Sequence, residues 1–301
     1  MRCIAIFQEI QKRGFPTIFI GSVVDVPWAK QVIEDFGFVQ VFNDQESFVG
    51  KPQNDILIID SYVIPINDPF LSRDSWRKII ALSDEHTPKY QVDLYIRPTL
   101  NDMLSHNTKP RILSGPPFFP IRNQIKKIEA FENKSTMVNL IIVGGGTDYK
   151  DFSSTIATCL KDLKFRFRAN FFSDDRSIEE MDSRFRVFRF GTDIDSLLSS
   201  SSMAITTAST SAIEFIAREV PTGIVQAIDN QKEYYRYLST QFLAKPLGIH
   251  TEGLWNIDAF ELIDFISNLE TRDKLRSNIV GLIDLKGVIR IVDEIIDLLK
   301  E

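Results

Sequence analysis

The chain has 301 residues, 44% apolar and 25% charged, which excludes a disordered polymer and favours two domains of ordinary size over a single core. A formal net charge of -6 argues against a nucleic-acid partner, and Cys3 and Cys159, the only cysteines, are too few for a disulfide framework or a zinc spacing. No apolar run approaches a membrane span and no leader pattern opens the chain, so the expectation is a cytoplasmic protein without a membrane span.

The first stretch, MRCIAIFQEIQKRG, reads as a helix: Cys3, Ile6, Phe7 and Ile10 fall at the spacing of one buried face, and Gly14 stands where a C-terminal cap belongs. FPTIFIGS follows as a short buried strand. A helix in WAKQVIEDFG and strand-like runs at VQVF, DILIID, KIIALSD and DLYIRP continue the alternation. RILSGPPFFPIRNQI then interrupts it, because its prolines and glycine stop regular structure, and NQIKKIEAFENKST reads as a helix or linker into a new unit. The expected domains are 1–125 and 135–301.

From Val138 the pattern restarts with strand VNLIIV, helix DFSSTIATCLKDL, strand FRFRANFF, helix RSIEEMDSR and strand VFRFG. Helix DIDSLLSSS, strand MAITT, helix TSAIEFIARE, strand TGIVQ and helix NQKEYYRYLSTQFLA come next, and the stretch from NIDAFELIDFISNLE to Glu301 reads as helical throughout. Strict alternation of this kind predicts an α/β chain of two Rossmann-like domains in series, with a ligand in the cleft between them. Such alternation usually opens on a strand, whereas this chain opens on a helix.

Three stretches in the second half carry candidate binding residues. In LIIVGGGTDYKDF, Gly144, Gly145 and Gly146 follow a strand directly, and Thr147 and Asp148 lead into a helix. Glycines there admit a close ligand, and a helix N-terminus offers unpaired N–H groups with a partial positive charge to an anion. The alternative is an ordinary tight turn capped by Thr147 or Asp148. AITTASTSAIEFIARE repeats the design, with Ser209, Thr210 and Ser211 before a helix that carries Glu214. These hydroxyls suit either a helix cap or a diphosphate, and Glu214 suits ribose hydroxyls. In AIDNQKEYY, Asn230 and Gln231 suit either a cap or the hydroxyl and acetamido groups of a sugar.

The order GGTD (Gly145 to Asp148), STSAIE (Ser209 to Glu214) and DNQ (Asp229 to Gln231) resembles the nucleotide-sugar hydrolases of the pseudaminic-acid pathway and the related glycosyltransferases of spore-coat polysaccharide synthesis, a family of GT-B architecture. In the first half, IIDSY (Ile58 to Tyr62) is similar to its Asp-x-Tyr strand end, LSDE (Leu82 to Glu85) to its acidic strand end, and GPPFFPIR (Gly115 to Arg122) to its crossover. Phe118 stands for the usual tyrosine, Pro120 interrupts the Ala-Leu-Leu stretch, and Ser83 replaces a common acidic residue. In that family a strand and a Gly-x-Gly-His loop, whose histidine is the general base, precede a helix beginning Met-Arg-Cys. The present chain opens on Met1-Arg2-Cys3, so the resemblance implies a first domain lacking its first strand.

The resemblance implies hydrolysis of a UDP-linked acetamido-deoxy sugar with release of UDP, in surface-glycan or nonulosonic-acid biosynthesis and with neither cofactor nor metal. Backbone N–H groups near Gly145 and Gly146 and the hydroxyls of Ser209 and Ser211 would meet the charge developing on the diphosphate. Tyr62 and Asp60 would face the sugar as catalytic residues. Of His86, His106 and His250, only His86, beside the acidic strand end, comes into consideration as a base, and an ordinary exposed loop histidine is the reading favoured for it. The alternatives are a UDP-sugar-dependent glycosyltransferase and a non-catalytic UDP-sugar-binding remnant. Nothing in the sequence sets an oligomeric state.

Overall fold

The structure, a computed structural model, describes residues 2–21, 27–35, 40–42, 54–61, 63–84, 89–100, 110–122, 125 and 137–300. It divides into two compact units, one of Met1–Gln124 with Asp284–Glu301 and one of Ile125–Ile283. Most of the stretch read as a helix or linker, 126–136, lies outside the described residues.

In the first unit α1 (Arg2–Lys12) precedes β1 (Ile18–Ile20), α2 (Pro27–Asp35) and β2 (Gln40–Phe42). Then come β3 (Ile56–Ile59), β4 (Lys78–Leu82), β5 (Leu94–Arg97) and β6 (Arg111–Ser114). Every pairing is parallel, but the strands form two sheets, β1-β2 and β3-β4-β5-β6, with no strand joining them among the described residues. All four residues of β5 are buried, as a strand covered on both faces requires. β6 falls on RILS, where the sequence reading sees a break. Its pairing with β5 makes it a strand, and Gly115, at φ 97, turns the chain immediately afterwards into the 3₁₀ turn Pro116–Phe118. The buried face of α1 is Ile4, Ala5, Ile6 and Glu9, slightly rotated from the expected one. Glu9 tolerates burial because Arg13 donates to it at 2.9 Å.

The second unit runs β7 (Val138–Val143), α3 (Phe152–Lys161), β8 (Phe167–Phe172), α4 (Ile178–Met181), β9 (Phe185–Phe188), α5 (Ile194–Leu198) and β10 (Met203–Thr207). It continues with α6 (Thr210–Ala217), β11 (Thr222–Gln226), α7 (Lys232–Thr240), β12 (Lys245–Thr251), β13 (Leu254–Ile257), α8 (Ala259–Ser267) and α9 (Leu269–Ile279). The sheet order is β13-β12-β11-β10-β7-β8-β9, parallel except for β13. The chain builds outward from β7 to β9 and then crosses back to lay β10 on the other side of β7. That reversal is a topological switch point, and in open parallel sheets the crevice at the carboxyl ends of the two strands there is where ligands are held.

The sequence reading places no strand in β12 and β13. They form a hairpin whose turn residues Glu252 and Gly253 both have positive φ, 52 and 80, the type I′ arrangement that matches strand twist. The Glu-Gly pair between alternating residues is the signal that would have revealed it. Asp258 caps α8 by accepting from Phe260 N and Glu261 N, and Asn268 caps α9 in the same manner.

The last helix, α10 (Gly287–Lys300), belongs to the first unit and not, as the sequence reading groups it, with the second. Its stripe of Val288, Ile291, Val292, Ile295 and Leu298 packs with Ala5 and Ile6 of α1 over Ile80, Leu82, Leu94, Ile96 and Leu113. An apolar stripe dictates that a helix must be covered, not which sheet covers it. The helix is tied down by Arg290, which donates to Pro117 O and pairs with Asp284. That guanidinium holds the Asp284 carboxyl at about 2, below its ordinary value. The folded-state pKa is depressed, so the stabilisation is present above the unfolded value near 3.8 and is lost as pH falls toward 2. Acid titration of the Asp284→Asn variant is expected to show a shallower loss of stability between pH 4 and 2 than the unaltered chain, an interval bounded by those two values.

Candidate functional site

At the switch point the turns after β7 and β10 lie side by side. Thr206 Oγ1 donates to Val143 O at 2.7 Å, fastening the end of β10 to the end of β7 across 63 residues of sequence. Thr207 Oγ1, the atom nearest to where a side chain on Gly145 would begin, lies 3.9 Å from that point. The two turns singled out in the sequence are therefore brought together by strand pairing.

The three glycines have different reasons to be glycine. A Cβ on Gly144 would meet Asp148 Oδ1 at 2.7 Å, so close approach of the turn to itself excludes a side chain. Gly145 has φ 103, a conformation that L side chains rarely adopt, and a Cβ there would make only an ordinary contact with Thr207 Oγ1. Gly146 and Thr147 are exposed.

Asp148 faces inward. Its Oδ1 accepts from Ser153 N at 2.9 Å and Ser153 Oγ at 2.7 Å, and its Oδ2 accepts from Ser173 Oγ at 2.6 Å. These bonds brace the turn against α3 and the end of β8. Asp148, Lys150 and Asp151 all have left-handed backbone, at φ 46, 46 and 58, which costs on the order of 1–3 kcal/mol for each non-glycine residue. The β12–β13 hairpin helps hold them there. Trp255 Nε1 donates to Lys150 O at 2.8 Å, and the Trp255 ring packs edge-on against Phe152 at 5.1 Å and Tyr149 at 6.3 Å. His250 lies 4.7 Å from Trp255, ring centre to ring centre, with a buried Nε2 that has no hydrogen-bond partner. The sequence reading misses the Trp255 contact together with the hairpin, and it weighs His250 only as one of three histidines.

In the second turn Ser209 is the N-terminal flanking residue of α6, yet its side chain does not cap the helix; its Oγ accepts from Thr207 Oγ1 at 3.1 Å. Thr210 is exposed and Ser211 half-buried. The Ser209 side chain thus leaves the start of α6 without a side-chain cap of its own, while Ala212 N donates to Ser209 O at 3.0 Å. Glu214, one turn further on, is buried at 9% exposure. Past β11, Gln231 Oε1 accepts from Ala227 N at 2.9 Å and so stiffens its own turn, whereas Asn230 is exposed.

In the first unit Asp60 stands at the end of β3 and its carboxylate is held by Arg2: Nη2 lies 2.6 Å from Oδ1 and Nε 3.3 Å from Oδ2. Arg2 Nη1 also pairs with Asp84, just past β4, at 2.6 Å. Arg2 thus joins two acidic strand ends, and the thiol of the adjacent Cys3 is pushed up to about 12 by burial and by the Asp60 charge. Tyr62, His86 and His106 lie outside the described residues. No group of three or more potential metal ligands comes together among the described residues, and none of their helices is long and apolar enough to cross a membrane.

No family model and no curated protein matches the chain. Solved structures do. MurG of Acinetobacter baumannii superposes with a TM-score of 0.67 at 13% identity, covering 98% of this chain and 95% of its own. The calicheamicin glycosyltransferase CalG4 superposes with a TM-score of 0.63 at 11% identity, covering 99% and 94%. A UDP-glucosyltransferase from Polygonum tinctorium reaches a TM-score of 0.50 at 15% identity over 71% of this chain and 56% of its own. The fold is that of the GT-B glycosyltransferases, an α/β chain with two Rossmann-like domains.

Proposed function

We propose that the chain binds a nucleoside-diphosphate sugar, with UDP as the nucleotide, at the switch point of its second unit, and that it transfers the sugar to an acceptor hydroxyl. The observation that carries this reading is the pairing of two βα turns at the ends of β7 and β10, one with Gly145 in a glycine conformation and the other at a helix that the Ser209 side chain does not cap. Converging N–H groups and hydroxyls at such a position suit a diphosphate. Glycosyl transfer is favoured over hydrolysis because three structural neighbours of this fold carry glycosyltransferase names or, in one case, the name UDP-glucosyltransferase. Hydrolysis of a UDP-acetamido-deoxy sugar is the second reading, supported by the motif order Gly145–Asp148, Ser209–Glu214 and Asp229–Gln231.

In this reading the backbone at Gly145, Gly146 and Thr147 and the hydroxyls of Ser209, Thr210 and Ser211 meet the diphosphate, and Glu214 accepts from the ribose. Asn230 serves the sugar, while Asp148 and Gln231 act through the turns they brace. The glycosyl carbon–oxygen bond breaks with its electron pair passing to the departing UDP, and the entering oxygen forms the new bond. Donors aimed at the leaving diphosphate stabilise the charge as it develops. The proton of the entering hydroxyl passes to a base, for which His86 remains the sequence candidate. Tyr62 and Asp60, the latter held by Arg2, remain the sequence candidates for catalysis.

The test is UDP release from a UDP-acetamido sugar, with and without an acceptor saccharide, alongside calorimetry with UDP. Release that depends on acceptor is expected. Release into water alone would favour the hydrolase, and UDP binding without turnover would favour a binding protein. Failure of UDP to bind at millimolar concentration would overturn the placement of the nucleotide.

A further inference from the structure

The face of the second sheet away from the α3 side changes character along its strands. Toward the carboxyl ends it is apolar: Ile141, Val143 and Phe172 pack under Leu198 and Phe215, with Phe188 against them. Toward the amino ends it is polar. Asn139 of β7 stands opposite Arg168 of β8, and Asn170 of β8 stands opposite Arg186 of β9. Arg168 and Asn170 alternate with Phe167, Ala169 and Phe171, which are buried on the other face, so the polar residues share one surface. α5, the helix that covers this face, has only five residues. It shields the apolar end and leaves the amino end open as a cavity of about 450 Å³, lined by Asn139, Arg168, Asn170, Arg184, Arg186 and Ser200 among others.

No carboxylate lines this cavity. Arg184 is already matched: it pairs with Asp182, donates to the carbonyls of Lys161 and Leu163, and lies 4.1 Å over the Phe167 ring. Arg168 and Arg186 are exposed, and among the described residues neither has an acidic partner; Arg186 donates only to the adjacent Phe185 carbonyl. Diagonal neighbours on paired strands stand about 7–8 Å apart, so two like charges are held close on one surface of a chain whose net charge is negative. Two guanidinium groups on one surface, beside two amides, supply the kind of hydrogen-bond donors that bind a phosphate group.

We infer that this cavity is a second anion site, separate from the nucleotide turns, that takes a phosphate-bearing ligand between Arg168 and Arg186 with Asn139 and Asn170 as further hydrogen-bond partners. The chemistry is shared by a soluble phosphate ester or diphosphate and by a phospholipid headgroup. The site does not depend on the nucleotide reading, because its residues lie on β7, β8 and β9 toward their amino ends, whereas the two turns stand at the carboxyl ends of β7 and β10.

Inorganic pyrophosphate is the soluble probe and vesicles containing phosphatidylglycerol are the lipid probe, both with the full chain at low salt, where such contacts are least screened. Binding is expected to one or both probes, to survive in Gly145→Val, and to weaken at least about tenfold in Arg168→Gln/Arg186→Gln. Both arginines are exposed, so the double variant is expected to melt as the unaltered chain does; Asn170→Leu, between them on the same surface, gives a second reading. Pyrophosphate binding lost in the arginine variant assigns a soluble ligand, and vesicle binding lost in it assigns a headgroup. Binding of both probes unchanged by Arg168→Gln/Arg186→Gln, or no binding of either, overturns the proposal.

Discussion

Saturating UDP is expected to raise the melting temperature of the full chain by about 5–10 °C, and Gly145→Val is expected to abolish the rise. A ligand present at a hundred times its dissociation constant stabilises the folded state by about 2.7 kcal/mol, and in domains of roughly 150–250 residues each kcal/mol moves the midpoint by about 2–4 °C. Valine at position 145 faces two obstacles: the backbone conformation at φ 103 and a branched side chain standing over the opening toward Thr207. The first costs on the order of 1–3 kcal/mol in the free protein, and the second blocks the anion. Gly145→Ala separates them, since nothing lies closer than 3.9 Å to its new methyl group while the φ strain remains. Alanine should therefore lower the baseline melting temperature yet keep part of the UDP response. A UDP-induced shift in Gly145→Val equal to that of the unaltered chain would remove the diphosphate from this turn.

Gly287→Ala is expected to destabilise the first unit by about 3 kcal/mol or more, although helix propensity by itself points the other way. Alanine inside a helix is better than glycine by about 1 kcal/mol. At the start of α10, however, the new Cβ would lie 2.1 Å from Phe119 O and 2.8 Å from Phe119 N. Both are backbone atoms beside a proline-containing turn and neither moves at the expense of a side-chain rotamer, so the cost falls at or beyond the upper end of the overpacking range. The loss should appear in denaturant midpoints as early unfolding of the β3–β6 sheet, whose cover α10 supplies. Ile289→Ala, on the exposed side of the same helix, is the control and should change stability by no more than about 0.5 kcal/mol. Equal stability of Gly287→Ala and the unaltered chain would mean that α10 is not seated on Phe119.

The sequence by itself determined the α/β class, the positions of the two turns after β7 and β10, and the restart of the pattern at Val138. These are local matters: a run of β-branched residues ending in three glycines, or a hydroxyl cluster ahead of an amphipathic helix, carries its own instruction in the order of its residues. Local pattern did not reach β6 or the β12–β13 hairpin, because short strands next to glycine and proline become strands only when a neighbour pairs with them. It could not say that Asp148 turns inward to two serines 5 and 25 residues away, since cap and ligand contact call for the same residue type at the same place. Nor could it pair Asp60 with Arg2 across 58 residues. Only the tertiary structure decided which sheet the last helix covers and that the turns at Gly145 and Ser209 are neighbours. An apolar stripe states that a face must leave water, without naming its partner; a strand edge states that its N–H and C=O groups must be paired, without naming the strand. Those choices are made between segments far apart in the chain, and the crossing of β10 back to the side of β7 is the one that sets two ordinary turns side by side.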